Sequence, residues 1–253
     1  MITTYPLIIR FVPALSLLTI GLFLSNGLLV ELALNWLLLL LFTKKDLAAL
    51  GFVPEKRRMI HFTAGFALAA FIYSFNIFLQ TIFSDSEWLR NETYTLSKFF
   101  SASWWTMQSV LYEELIFRGA LLYIAITKLG VKKACLLSAV CFGVYHWFSM
   151  NAFGNWLFML GIFLITGCMG YIFALAYAKT SSLYLPIALH FGWNLMNTVI
   201  FSQGPIESQL FLAKRGEQFT QIEGFIVMLI QSFLLPVAAF IYIKKLRPSK
   251  YPV

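Results

Sequence analysis

The sequence predicts an all-α fold, a polytopic transmembrane helix bundle of about eight spans. Of its 253 residues, 60% are hydrophobic and only 12% are charged, and the mean hydropathy is +0.78. Those values lie far from a soluble average. Apolar runs of about 20 residues recur along the chain, the length that crosses roughly 30 Å of hydrocarbon. The basic residues then fall on one side of the spans. Lys44, Lys45, Lys56, Arg57 and Arg58 share one loop, and Lys128, Lys132 and Lys133 share another. Lys179 lies in a third loop, and Lys244, Lys245, Arg247 and Lys250 form the tail, against Arg90, Lys98, Lys214 and Arg215 opposite. The positive-inside rule assigns the larger set, and both termini, to the cytoplasm.

Taken in order, the first apolar stretch is Leu7 to Phe42. A single helix of that length would measure roughly 54 Å at 1.5 Å per residue, so two helices are expected, with the turn at Ser25-Asn26-Gly27. A cleaved signal peptide is a second reading, since Arg10 precedes an apolar run and Ser25-x-Gly27 is a small-x-small pattern. The immediate return to Leu28-Leu29-Val30 favours a retained hairpin. Leu50-Gly51-Phe52, followed by the basic cluster, reads as a cytoplasmic connection at the membrane surface. The remaining spans are expected at about 60–83, 99–127, 134–148, 156–178, 183–201 and 222–243. No linker, repeat or low-complexity tract divides the chain, so residues 1–253 form a single membrane domain whose motif-bearing core is about 99–201.

The net charge of +8 needs no nucleic-acid partner, because orientation and attraction to anionic lipid account for it. Cys135, Cys141 and Cys168 are odd in number and form no C-x-x-C, which argues against a disulfide framework or a thiolate metal site.

Polar groups inside the spans carry the chemistry. Ionisable side chains in hydrocarbon cost several kcal/mol each and persist where they face one another, a cavity or a substrate. Glu114 and Arg118 are four apart, share a helix face with the acid N-terminal to the base, and are expected to pair. Glu113 is turned about 100° away on the same helix, leaving a carboxylate free to act. Phe142 and His146 share a second face, the ring packing beside the imidazole, and His190 and Asn194 share a third. Measured from the cytoplasmic ends, Glu113 and His146 lie about 20 Å deep, Asn194 about 16 Å and His190 about 10 Å. One chamber opening to the cytoplasm could hold all four.

A carboxylate base, two imidazoles and an amide are the parts needed to hydrolyse a peptide bond. Glu113, aided by His146, would take a proton from water, while His190 and Asn194 would donate to the oxyanion. Glu113, His146 and His190 also match a catalytic zinc set, so a metal-bound version stays open. No serine, threonine or cysteine is marked as a nucleophile by its neighbours.

Glu113-Glu114-x-x-x-Arg118 with Gly119, Phe142-x-x-x-His146 and His190-x-x-x-Asn194 resemble, in order and spacing, the CAAX-protease and bacteriocin-processing intramembrane proteases, the CPBP or Abi family. The resemblance covers residues 113–194. It implies that Glu113, His146, His190 and Asn194 line an active site, with Glu114 and Arg118 in support. It also implies a membrane-associated protein or peptide substrate, prenylated in the eukaryotic members, embedded among membrane lipids. Two other classes compete. A non-catalytic scaffold or immunity protein would share the fold without its chemistry. A transporter with a Glu/His proton relay would favour matched broken helices in two halves, which the sequence lacks.

Overall fold

The computed structural model describes residues 15–201, 209–214 and 220–247, with the side chains of 15–26 and 221 left aside. The chain is predominantly helical. In order come α1 (Leu15–Thr43), a 3-10 turn (Leu47–Leu50), α2 (Lys56–Ser84), β1 (Glu87–Arg90), α3 (Leu96–Arg118), α4 (Ala120–Leu129) and α5 (Val131–Ser149). Then follow α6 (Trp156–Thr180), α7 (Tyr184–Leu195), a π-helical turn (Met196–Ile200), β2 (Phe211–Lys214) and α8 (Gln221–Lys245). Among the described residues, α2, α6 and α8 contain helices long and apolar enough to cross a membrane by length and composition. Many large apolar side chains face outward, as in Phe71, Trp104 and Ile222, which suits a chain solvated by lipid.

Three expectations need correction. The hairpin over 7–42 is absent in its described part, because α1 runs unbroken through Ser25-Asn26-Gly27. Residues 7–14 lie outside the described set. One glycine costs a helix only about 1 kcal/mol, and here a Cβ on Gly27 would stand 3.6 Å from the Tyr112 ring. The position therefore serves as a contact between α1 and α3. With one helix there, an eighth span is not seen among the described residues. The span expected at 99–127 is broken at Gly119, between α3 and α4. Lastly, two short strands interrupt the helices: β1 and β2 pair antiparallel, with Trp88 opposite Ala213 and Leu89 opposite Leu212. Four-residue strands carry too little alternation to stand out in sequence.

The core forms where α3, α4, α6 and the α1–α2 connection meet, around Leu39, Leu50, Leu115, Leu122 and Tyr177. A second cluster joins α2, α6, α7 and α8 through Ile72, Phe173, Leu189 and Leu235. The α1–α2 connection is bonded to the turn that starts α7. Leu183 N–H donates to Leu50 O (3.1 Å), and Ser182 Oγ donates to Gly51 O (3.0 Å). Tyr177 and Tyr184 hydroxyls donate to Ala49 O and Phe52 O. Gly51 makes this approach possible: its φ is +72°, and a Cβ would sit 2.5 Å from Ser181 O.

Gly51→Ala should therefore cost about 2 kcal/mol or more through left-handed strain and collision. Gly161→Ala, with nothing within 4 Å of the new methyl, should be neutral. Thermal unfolding of the purified variants in detergent checks both; equal midpoints would refute the docking role of Gly51.

Candidate active site

α3 delivers Glu113, Glu114 and Arg118 near its C-terminal end. The helix stops at Gly119, whose ψ of −138° leaves the helical region. Two buried groups make that break stable. Asn35 Oδ1, from α1, accepts the Ala120 N–H at 2.6 Å, supplying the cap that the first turn of α4 would otherwise lack. Ser138 Oγ, from α5, donates to Phe117 O at 2.9 Å. A Cβ on Gly119 would collide with the Asn35 side chain. The glycine after Arg118 is thus needed for close approach.

Glu114 and Arg118 are both fully buried, with Arg118 Nε 3.1 Å from Glu114 Oε2. The distance makes an ion pair, although the angle falls short of a hydrogen bond. The guanidinium is held equally by rings: its Cζ lies 4.2 Å from the Phe142 centroid, 5.0 Å from Phe173 and 5.8 Å from Phe117. Cation–π contacts of this kind gain strength where water is excluded.

The other oxygen of Glu114 reaches α7. His190 Nδ1 and Glu114 Oε1 are 2.8 Å apart, and His190 Nε2 lies 3.8 Å from Glu113 Oε2. His190 therefore stands between the two carboxylates: Glu114 fixes one ring nitrogen and the other is directed at Glu113. Phe173 stacks on the imidazole, with centroids 5.0 Å apart and planes at 22°, and Phe142 meets its edge. Glu113 keeps 15% of its side chain exposed whereas Glu114 keeps none.

His146 lies on α5. Its Nδ1 is 2.8 Å from Phe142 O; as that carbonyl can only accept, Nδ1 carries the proton and Nε2 presents a lone pair. The Phe142 ring packs against His146, with centroids 4.5 Å apart, and also against His190. Phe142 is thus the shared wall between the two imidazoles. Asn194, half-buried, lies one turn after His190 on α7.

The structure joins Glu113, Glu114, Arg118 and His190 directly, and brings in His146 through Phe142. Among the described residues no group of three or more His, Cys, Asp or Glu side chains is placed to hold a metal ion. Each imidazole has one nitrogen engaged, His146 by the Phe142 carbonyl and His190 by Glu114, and Glu113 lies 3.8 Å from the free nitrogen of His190. The sequence reading missed Asn35, Ser138 and Phe173. Asn35 had a signal, a lone amide in the apolar run 28–42; Phe173 had none among 26 phenylalanines.

Comparison with known proteins agrees with the motif resemblance. Residues 95–196 match the family model described as Rce1-like, type II CAAX prenyl endopeptidase. The matched segment runs from the cap of α3 to the end of α7 and contains every candidate residue. No curated protein and no solved structure matches the chain. The family match and the three long apolar helices together point to an integral membrane protein with a segment similar to the Rce1-like family.

Breaking the buried pair should strand a charge, at about 3–5 kcal/mol. Arg118→Ala and Glu114→Ala should each sharply lower the yield of folded protein, read by size-exclusion profile and thermal stability in detergent. Wild-type behaviour of both would refute a structural role for the pair.

Proposed function

We propose that this chain, through its Rce1-like segment, is an intramembrane endopeptidase that hydrolyses a peptide bond of a membrane-associated protein or peptide, with water activated by Glu113. The observation that carries the reading is the placement of His190 between Glu114 and Glu113. Catalysis needs a base and an oxyanion donor held in fixed relation, and a ring tied on one side and free on the other supplies that.

With a proton on each ring nitrogen, His190 donates from Nδ1 to Glu114 and presents Nε2–H to the site. Two carboxylates, one guanidinium and one imidazolium then sum to zero, which suits a low-dielectric setting. Glu113 takes a proton as the water oxygen forms its bond to the scissile carbonyl carbon, and His146 Nε2 accepts the second hydrogen bond of that water. The carbonyl π electrons move to oxygen, where His190 Nε2–H and the Asn194 amide stabilise the negative charge. Collapse restores the carbonyl, breaks the C–N bond and passes the proton from Glu113 to the leaving amine. The proton count closes with no co-reactant.

The charge asymmetry orients the site toward the cytoplasm, with the Lys44–Arg58 loop and the tail on that side. Reporter fusions after Asn91 and at the C-terminus should read opposite sides; the same side for both would sink this orientation.

The assay is cleavage by purified protein in vesicles of a farnesylated peptide ending in Cys-aliphatic-aliphatic-X, beside the unprenylated peptide. Glu113→Gln should abolish cleavage and leave thermal stability near wild type, since it keeps shape and removes the base. Asn194→Ala should lower kcat roughly 10²–10³-fold, the usual loss for one oxyanion donor. Cleavage by Glu113→Gln at the wild-type rate would end the reading.

A further inference from the structure

We infer that Tyr73, on α2, is a positioning residue for Asn194, acting through the π-helical turn that ends α7; the inference rests on the function proposed above. No sequence motif singles out Tyr73, and it lies outside the segment matched by the family model.

The geometry begins with the turn. The α-helical winding of α7 stops at Leu195, and Met196–Ile200 continue as a π-helix. Phe201 N–H donates to Met196 O at 2.9 Å, five residues back, and Met196 N–H is shared between the Gly192 and Trp193 carbonyls. A π-turn is a widened, less favourable winding that recurs at functional sites and persists where its surroundings hold it. Asn194 stands immediately before it.

Tyr73 grips the chain on both sides of Asn194. Its hydroxyl donates to Asn197 Oδ1, inside the π-turn, at 2.8 Å. Its ring meets the Trp193 indole edge-to-face, with centroids 4.9 Å apart and planes at 88°, and stacks on Phe201 at 6.2 Å. The residue before Asn194, the turn after it and the end of that turn all touch one side chain, itself 1% exposed. The platform beneath is stiff, because α2 and α7 approach backbone to backbone two turns earlier: a Cβ on Gly192 would lie 2.7 Å from Phe66 O. His190, one turn before Asn194, is held independently by Glu114. Tyr73 therefore sets the Asn194 end of α7, as Glu114 sets the His190 end.

A loose Asn194 weakens the oxyanion contact, which exists only in the transition state, so the loss falls on kcat and spares KM. Tyr73→Phe keeps the ring contacts and removes only the hydroxyl. Assayed on whichever peptide the wild type cleaves, it should lower kcat about tenfold, as expected when one positioning bond is lost, with KM within about twofold. In an Asn194→Ala background the same change should cost less than about twofold, because the group it positions is gone. Tyr73→Phe/Asn197→Leu removes the donor and acceptor of this bond together, and thermal unfolding in detergent reports whether the variant is folded; it should show the same tenfold loss. Wild-type kcat in that double variant, or a full tenfold loss persisting in the Asn194→Ala background, overturns the inference. Glu113→Gln separates the two levels. If it is inactive while Tyr73→Phe runs at full rate, only the role of Tyr73 falls; if the wild type cleaves neither peptide, the proposed function falls first.

Discussion

The buried carboxylate of Glu114 is the constraint around which the site is built. It is fully enclosed, so both of its oxygens need partners. One turns along its own helix to Arg118 and the other crosses to His190 on α7. Neither partner alone would do. Arg118 without the carboxylate would be a buried cation on aromatic rings, and His190 without it would have no fixed orientation. The requirement pulls α3 and α7 together, and α5 and α6 close the space with Phe142 and Phe173. The break at Gly119 follows from the same demand, since Arg118 must end its helix inside the protein and not at a wet surface.

Adjacent acids in one helix take different environments because successive side chains diverge by about 100°. That rotation places Glu114 in the wall and leaves Glu113 partly exposed, facing the free nitrogen of His190. The arrangement favours hydrolysis over a proton relay. A relay passes protons along a chain of groups toward both faces of the membrane. Here the charged groups close on themselves, and the His146 proton is committed to a backbone carbonyl within its own helix. What stays available is one carboxylate, one imidazole lone pair and one directed imidazole nitrogen, the complement that the proposed activation of a single water calls for.

How much of this was legible depended on range. The Glu114–Arg118 pair and the Phe142–His146 contact lie one helical turn apart, where spacing alone decides who meets whom. The apolar lengths of α2, α6 and α8 stood out for the same local reason. The Glu114–His190 bond joins residues 76 apart, and no periodicity reports that. It also took Ser25-Asn26-Gly27 for a turn. That chemistry is persuasive in water, where a turn can solvate its backbone; in an apolar run, continuing the helix satisfies the same groups internally. At Gly119 the opposite happened, because Asn35 and Ser138 supplied from other helices the bonds that a break exposes.

The helix bearing His190 and Asn194 is short and tethered along its length. At 12 residues α7 is about 18 Å long, too short to be located across a bilayer by hydrophobic matching. Bonds place it instead. Its start is fastened by Leu183 and Ser182 to the Leu50–Gly51 connection. Its middle is fastened by His190 to α3, and its trailing π-turn by Asn197 to Tyr73 on α2. The three anchors come from different elements and are spaced along the helix, so sliding, tilt and rotation are each opposed by at least one. The proposed oxyanion donors would depend on such prior placement, and a short helix held at three points supplies it without the long span that lipid alone would require.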